Sequence, residues 1–248
     1  MEAHRRRELE LNELEWWRNW AELDWMGRDA YLFRSSEMPE VFFNRGGFLN
    51  CEPSDKILSG LETRLQESGR NPAIMIYESC SELADGLAKA GYRKADVMTV
   101  MQADGKLGSK TMSPAVTDQA RDAGDWARGY LMAFYGDLKL MSSVEKAVRR
   151  AQKLDSTTLL EARIGGEMAG VLAVFRTPGL AGVYCVGTIE RYRRRGVAEV
   201  LLARAGEIAE AEGRTLVLQT LESDGSEPYY ARRGFRVLYR KLLLQKKS

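Results

Sequence analysis

The chain has 248 residues, 44% hydrophobic and 29% charged, a globular composition able to bury a core in one large domain or two of ordinary size. No apolar run approaches membrane-span length, and the charged start, Met1 to Glu10, lacks the apolar core of a signal peptide, so a cytoplasmic protein with no membrane partner is expected. The single histidine, His4, lies in a charged terminal segment and reads as solvated. A Ser-His-Asp triad, a Cys-His pair and a multi-histidine metal site are thereby set aside, leaving only a carboxylate metal site open; no metal is expected. The cysteines Cys51, Cys80 and Cys185 are odd in number and far apart, and read as buried, reduced thiols.

In chain order, Leu9, Trp16, Trp20 and Leu23 recur near one face of a helix over residues 6–24, opposite a mixed-charge face, and the tryptophans suit core packing better than a ligand cage. Strands are expected at Ala30 to Arg34, Val41 to Phe43, Ala73 to Tyr77 and Ala95 to Gln102, with helices at Asp55 to Gln66 and Ser81 to Lys89. That alternation indicates an α/β layer. Polar residues with Gly105 and Gly108 mark 102–113 as a linker. Helices follow near Val116 to Tyr135 and Ser142 to Gln152. An antiparallel meander comes next: Thr157 to Ile164, a Gly165-Gly166 turn, Met168 to Arg176, a Pro178-Gly179 turn, and Gly182 to Ile189. Val197, Val200, Leu201 and Ile208 keep helical spacing until Gly213. A strand at Thr215 to Thr220, a short helix at Glu227 to Arg233 and a strand at Phe235 to Leu244 complete the chain.

A faint repeat links Leu87-Ala88-Lys89-Ala90-Gly91-Tyr92-Arg93 to Tyr230-Ala231-Arg232-Arg233-Gly234-Phe235-Arg236. Each ends a helix at glycine and enters a strand through an aromatic residue. Glycine is common at helix ends, so the pattern by itself leaves an ancient duplication and a chance likeness open.

The run Val186-Gly187-Thr188-Ile189-Glu190-Arg191-Tyr192-Arg193-Arg194-Arg195-Gly196-Val197-Ala198 lies between a strand and the long helix. Gly196 and Ala198 let backbone approach a ligand closely, and the amides at the helix start, with the helix dipole, favour an anion. Arg193, Arg194 and Arg195 add charge, and at least one could meet a phosphate. The wider region is basic too, with 13 Lys/Arg against 8 Asp/Glu in residues 186–248 of a chain whose net charge is +2. A pyrophosphate site fits this loop; a basic turn that merely starts a helix is the plainer alternative.

The context of meander, loop, strand and tyrosine helix resembles the GNAT superfamily of acyl-CoA-dependent N-acyltransferases. Arg193-Arg194-Arg195-Gly196-Val197-Ala198 matches its Arg/Gln-x-x-Gly-x-Gly/Ala loop, and Tyr230 through Phe235 matches its Tyr-x-x-x-Gly-Phe pattern. The resemblance covers about residues 115–248. It implies an α/β fold with a mixed, mostly antiparallel sheet flanked by helices, in which 109–248 is the catalytic domain and 1–108 a degenerate GNAT-like domain. It implies that backbone amides of Arg194, Arg195, Gly196, Val197, Ala198 and Glu199 bind the coenzyme A pyrophosphate. Val186, Gly187 and Thr188 would pair with the pantetheine arm as an added strand, and Tyr230 would protonate the departing thiolate. Acetyl-CoA is then the cosubstrate.

The general base is open among Glu190, Glu222 and Glu161. Ser226 either caps the tyrosine helix or touches the cofactor, and the cap is the simpler role. Ala198 stands for the commoner second glycine, Thr188 for a usual apolar residue, and Ser223-Asp224-Gly225-Ser226 replaces the segment that often carries an asparagine. The expected activity is N-acetyl transfer to a primary amine of a small molecule, amino acid or peptide, with a homodimer as candidate assembly. A non-catalytic acyl-CoA sensor is the alternative. Nucleic acid is not an expected partner, because no reading motif accompanies the basic residues.

Overall fold

The computed structural model describes residues 3–103, 107 and 113–247. Its first elements are α1 (Ala3–Trp17), β1 (Glu22–Trp25), β2 (Ala30–Arg34), β3 (Arg45–Phe48), α2 (Asp55–Glu67), β4 (Ala73–Tyr77), α3 (Ser81–Lys89) and β5 (Tyr92–Ala103). Then come β6 (Val116–Gln119), α4 (Ala123–Phe134), α5 (Met141–Gln152), β7 (Thr157–Ile164), β8 (Glu167–Thr177) and β9 (Leu180–Thr188). The chain finishes with α6 (Val197–Ala211), β10 (Thr215–Leu221), α7 (Glu227–Ala231) and β11 (Phe235–Lys246). Two compact units gather these elements out of chain order. One comprises Met1–Met101, Gln219–Arg232 and Arg236–Ser248, and the other Gln102–Leu218 and Arg233–Phe235.

In the first unit the strand order is β1-β2-β3-β4-β11-β5. β3 and β4 are parallel, whereas β1–β2, β2–β3 and β4–β11 are antiparallel. Every residue of β4 is buried, as its unbroken apolar run requires of a strand covered on both faces. On one face Ala30, Leu32, Phe48, Ile74, Ile76 and Leu244 pack against Leu61 and Leu65 of α2 and Leu87 of α3. Fully burying such a leucine contributes about 1.5–3 kcal/mol.

This unit also buries a charge cluster, with Glu10, Glu13, Arg45 and Lys241 each no more than 2% exposed. Lys241 Nζ lies 3.0 Å from Glu10 and 2.5 Å from Glu13, and Arg45 Nη2 lies 3.1 Å from Glu13. The Tyr239 hydroxyl donates to Glu10 at 2.7 Å. The two cations thus match the two carboxylates. The helical periodicity put charges on a solvated face, but α1 turns Glu10, Asn12 and Glu13 inward and ends at Trp17. Leu23, expected in that helix, lies in β1.

The second unit orders its strands β10-β9-β8-β7-β6, with β10 and β9 parallel and the other pairs antiparallel. The expected β7-β8-β9 meander forms, and α6 connects β9 to its parallel neighbour β10. Small residues allow the helices to dock. A Cβ on Gly170 would lie 2.6 Å from both the Gly187 carbonyl and Val197 Cγ1, and one on Gly187 would lie 2.7 Å from the Phe134 ring. The fold is therefore α/β, a mixed and mostly antiparallel sheet flanked by helices.

Three expectations are corrected. Val41–Phe43 is a 3-10 turn and not a strand, because Phe42 and Phe43 turn inward to meet Trp17 with ring centroids 5.0 and 5.5 Å away. Residues 116–119 form β6, paired with β7 from Val116–Arg163 to Gln119–Leu160, and the helix begins only after Asp122, whose side chain caps it at Asp125 N, 2.8 Å away. Of the supposed linker 102–113, only Gln102, Ala103, Leu107 and Ser113 are among the described residues.

The third correction concerns thiols. Cys51 and Cys80 form a disulfide across 29 residues with Cα atoms 5.0 Å apart, and only Cys185 is a free, buried cysteine. Their separation in sequence concealed a pairing that the fold makes by bringing the start of α3 to the segment after β3. Reduction is expected to lower the unfolding free energy by about 2–4 kcal/mol, through the loop entropy regained by the unfolded chain. Denaturant titration with and without reductant, set beside Cys51→Ser, checks this; coincident curves for oxidised and reduced protein would contradict it. Among the described residues no helix is long and apolar enough to cross a membrane.

Candidate active site

In the second unit, β9 pairs with β10 from Leu180–Thr215 to Val183–Leu218, and β9 itself continues to Thr188. Against β8, β9 carries a bulge. Val171 and Ala173 of β8, two residues apart, face Gly187 and Tyr184, three apart, so β9 holds one extra residue there. Cys185 accommodates it with φ of 54°, a left-handed conformation uncommon for a residue with a side chain. Val186, Gly187 and Thr188 lie past this bulge, beyond the β9 residues that pair with β10 within the unit; pairing with an extended, amide-bearing ligand needs a strand edge of this kind.

Beyond Thr188 the chain makes a short turn, Glu190–Tyr192, before the loop. Arg194 and Gly196 both adopt left-handed backbone, with φ of 62° and 76°, and Gly196 is the N-cap of α6. Glycine takes that conformation without a Cβ penalty. The first hydrogen bond of α6 runs from Val200 N to Gly196 O at 3.1 Å, so the amides of Val197, Ala198 and Glu199 precede the intrahelical ladder. Left-handed residues beside a helix start make a nest of amides for an anion. Arg193, Arg194 and Arg195 are exposed around it. Glu199 would oppose an anion there, but its carboxylate is buried against Arg233, 3.2 Å away.

The first unit holds Glu222, Ser226 and Tyr230. Tyr230 is 8% exposed on α7, edge-on to Tyr229 with ring centroids 5.4 Å apart. The short helix is anchored by Glu227, which accepts from Thr99 Oγ1 at 2.8 Å and from Arg240 at 2.8 and 3.0 Å. Thr99 and Arg240, acting directly on Glu227, hold its carboxyl below the ordinary value. The segment before α7 is fixed by Ser223, whose hydroxyl donates to Asp96 at 2.6 Å. Ser226 occupies the N-cap position but its hydroxyl donates to the Asp224 carbonyl at 3.3 Å, so the expected side-chain cap is not made.

The carboxylates named as base candidates differ in engagement. Glu190 is exposed at the start of the turn after β9, Glu222 pairs with Lys94 at 3.2 Å, and Glu161 pairs with Arg163 at 2.7 Å. The bulge at Cys185 carried no sequence signal, since cysteine is not a residue of left-handed turns. Gly170 within an otherwise apolar strand was the available hint of close backbone approach.

Residues 122–235 match the sequence profile described as the Acetyltransferase (GNAT) family. A GCN5-related N-acetyltransferase from Kribbella flavida is similar with a TM-score of 0.72 and 17% identity, covering 98% of this chain and 95% of its own. Another, from Sphaerobacter thermophilus, is similar with a TM-score of 0.68 and 18% identity over 94% of this chain and 84% of its own. A functionally unknown conserved protein from Staphylococcus epidermidis ATCC 12228 is similar with a TM-score of 0.67 and 14% identity over 92% of this chain and 95% of its own. At these identities the likeness is one of fold. Comparison with curated protein sequences gives no match.

Proposed function

We propose that residues 122–235, which match the GNAT acetyltransferase profile, form an acyltransferase domain of that family, and that the protein is an N-acetyltransferase that uses acetyl-CoA to acetylate a primary amine. The observation that carries this reading is the amide nest at Arg194 to Glu199, next along the chain from the bulged end of β9. The thioester supplies an activated acyl group. Amides at 194–199 hold the pyrophosphate, and Val186 to Thr188 orient the pantetheine arm by backbone pairing. The amine nitrogen forms the new C–N bond as the C–S bond breaks; Tyr230 Oη gives its proton to the leaving sulfur, and a base takes one from the amine. Glu190 and Glu222 are the proposed base candidates. A small-molecule, amino-acid or peptide amine is the proposed acceptor.

We also propose 109–248 as the catalytic half and 1–108 as its degenerate copy. Gly91 and Gly234 share a φ of 91°, and each leads into a 12-residue strand through a buried aromatic, Tyr92 or Phe235. Both halves also contain a parallel strand pair joined by a helix, β3-α2-β4 and β9-α6-β10. The first copy has Leu87 where the second has Tyr230. Its helix start offers no comparable nest, because Ser54 Oγ caps Ile57 N and Asp55 places a carboxylate in the first turn.

Gly196→Asp tests the cofactor site, since it adds a Cβ at a left-handed position and a negative charge beside the pyrophosphate. The expected result by calorimetry is a coenzyme A dissociation constant raised at least about tenfold, the equivalent of 1.4 kcal/mol. Unchanged affinity in a folded variant would remove the loop from the site. Thiol release from acetyl-CoA with a panel of amines separates an enzyme from a protein that only senses the thioester.

A further inference from the structure

Tyr192 is 7% exposed in the turn that feeds the pyrophosphate loop, and its hydroxyl donates to Glu167 at the first position of β8. The same carboxylate oxygen accepts from Arg191 Nη2 at 2.8 Å. The guanidinium of Arg195, inside the loop, lies over the Tyr192 ring 5.8 Å from its centroid, and that of Arg191 lies 4.9 Å away. A separate tether runs from Ser113 Oγ to the Arg195 carbonyl at 2.8 Å. All of these residues belong to the second unit.

We propose that Tyr192 and Glu167 are positioning residues that clamp the loop in its anion-binding shape before coenzyme A arrives. Two neighbouring left-handed residues, one of them the arginine Arg194, give this loop a conformation that an untethered chain would populate only in part. Fastening Tyr192 to the start of β8 lowers the ordering cost otherwise charged to ligand binding. Glu167 is suited to the role despite its negative charge near an anion site, since Arg191 neutralises it. This inference rests on the reading of residues 193–199 as the pyrophosphate site.

The test is a double-mutant cycle on the full chain, reading the coenzyme A dissociation constant by calorimetry. Tyr192→Phe and Glu167→Ala should each raise it about three- to tenfold, and the double variant should lose no more than the larger single effect. Glu167→Gln, which keeps an acceptor oxygen, should recover part of the loss. With any amine that is turned over, KM for acetyl-CoA should rise while kcat at saturation is kept. Unaltered affinity in both single variants, or fully additive losses, overturns the clamp. Failure of the unmutated protein to bind coenzyme A removes the cofactor reading itself, and the clamp with it.

Discussion

Replacing Tyr230 with phenylalanine is expected to lower turnover by about 10²- to 10⁴-fold, the usual contribution of a positioned general acid, while leaving acetyl-CoA affinity nearly unchanged. The substitution removes one oxygen from a ring that is 8% exposed and held edge-on to Tyr229, so packing survives. A tyrosine hydroxyl can hydrogen-bond a departing thiolate and pass it a proton. The helix that carries it is fixed through Glu227 to Thr99 and Arg240, which limits relaxation in the variant. Turnover and dissociation constant should be measured on the same preparation, with Tyr229→Phe as control. Full activity in Tyr230→Phe would end its assignment as the acid, and a greater loss in the control would transfer the role to Tyr229.

Lys241→Met is expected to cost about 3–5 kcal/mol of folding free energy, because it leaves two buried carboxylates with Arg45 as their one remaining counter-ion in the cluster. Glu10 and Glu13 are 1% exposed and both lie within 3.0 Å of Lys241 Nζ. Adding Glu10→Gln should restore part of the loss by removing one uncompensated charge. Urea unfolding measures both, and a loss below about 1 kcal/mol for the single variant would show that the cluster is hydrated or rearranged. The same ion has a pH signature. Burial alone would pull the Lys241 pKa down, but Glu10 and Glu13 outweigh it and the folded value lies above the ordinary 10.5. Its stabilising contribution is therefore complete below pH 10.5 and is lost as pH rises beyond the ordinary value towards the folded one. Wild type should lose stability on the alkaline side, and Lys241→Met should lack that component.

Local structure was legible. The loop could be recognised because its requirements lie within a few consecutive residues: small Gly196 and Ala198, neighbouring arginines, and apolar spacing that starts a helix at Val197. The meander was legible for the same reason, its turns being marked by Gly165-Gly166 and Pro178-Gly179. Tyr230 was reached through its spacing to Gly234 and Phe235, and that glycine does take a left-handed conformation with φ of 91°. The arginines of the loop, by contrast, gave no indication that Tyr192 and Glu167 would tie the preceding turn to β8.

By itself, the sequence determined the order of strands and helices through most of the chain, the place of the glycine-capped loop before α6 and the tyrosine to test, since each follows from periodicity, turn residues or a short motif. Tertiary structure alone decided which distant groups meet. Glu10 looked solvated because its neighbours are charged, yet its cation comes 231 positions later from β11. Cys51 looked unpaired until the fold brought Cys80 to it across 29 residues. β11 itself lies between β4 and β5, so the C-terminal strand completes a sheet begun by the first hundred residues. The β9 bulge at Cys185 likewise arises from pairing with β8. Backbone pairing, ion pairing and disulfide formation depend on proximity in space, and a linear pattern specifies such proximity only where the partners are also near in the chain.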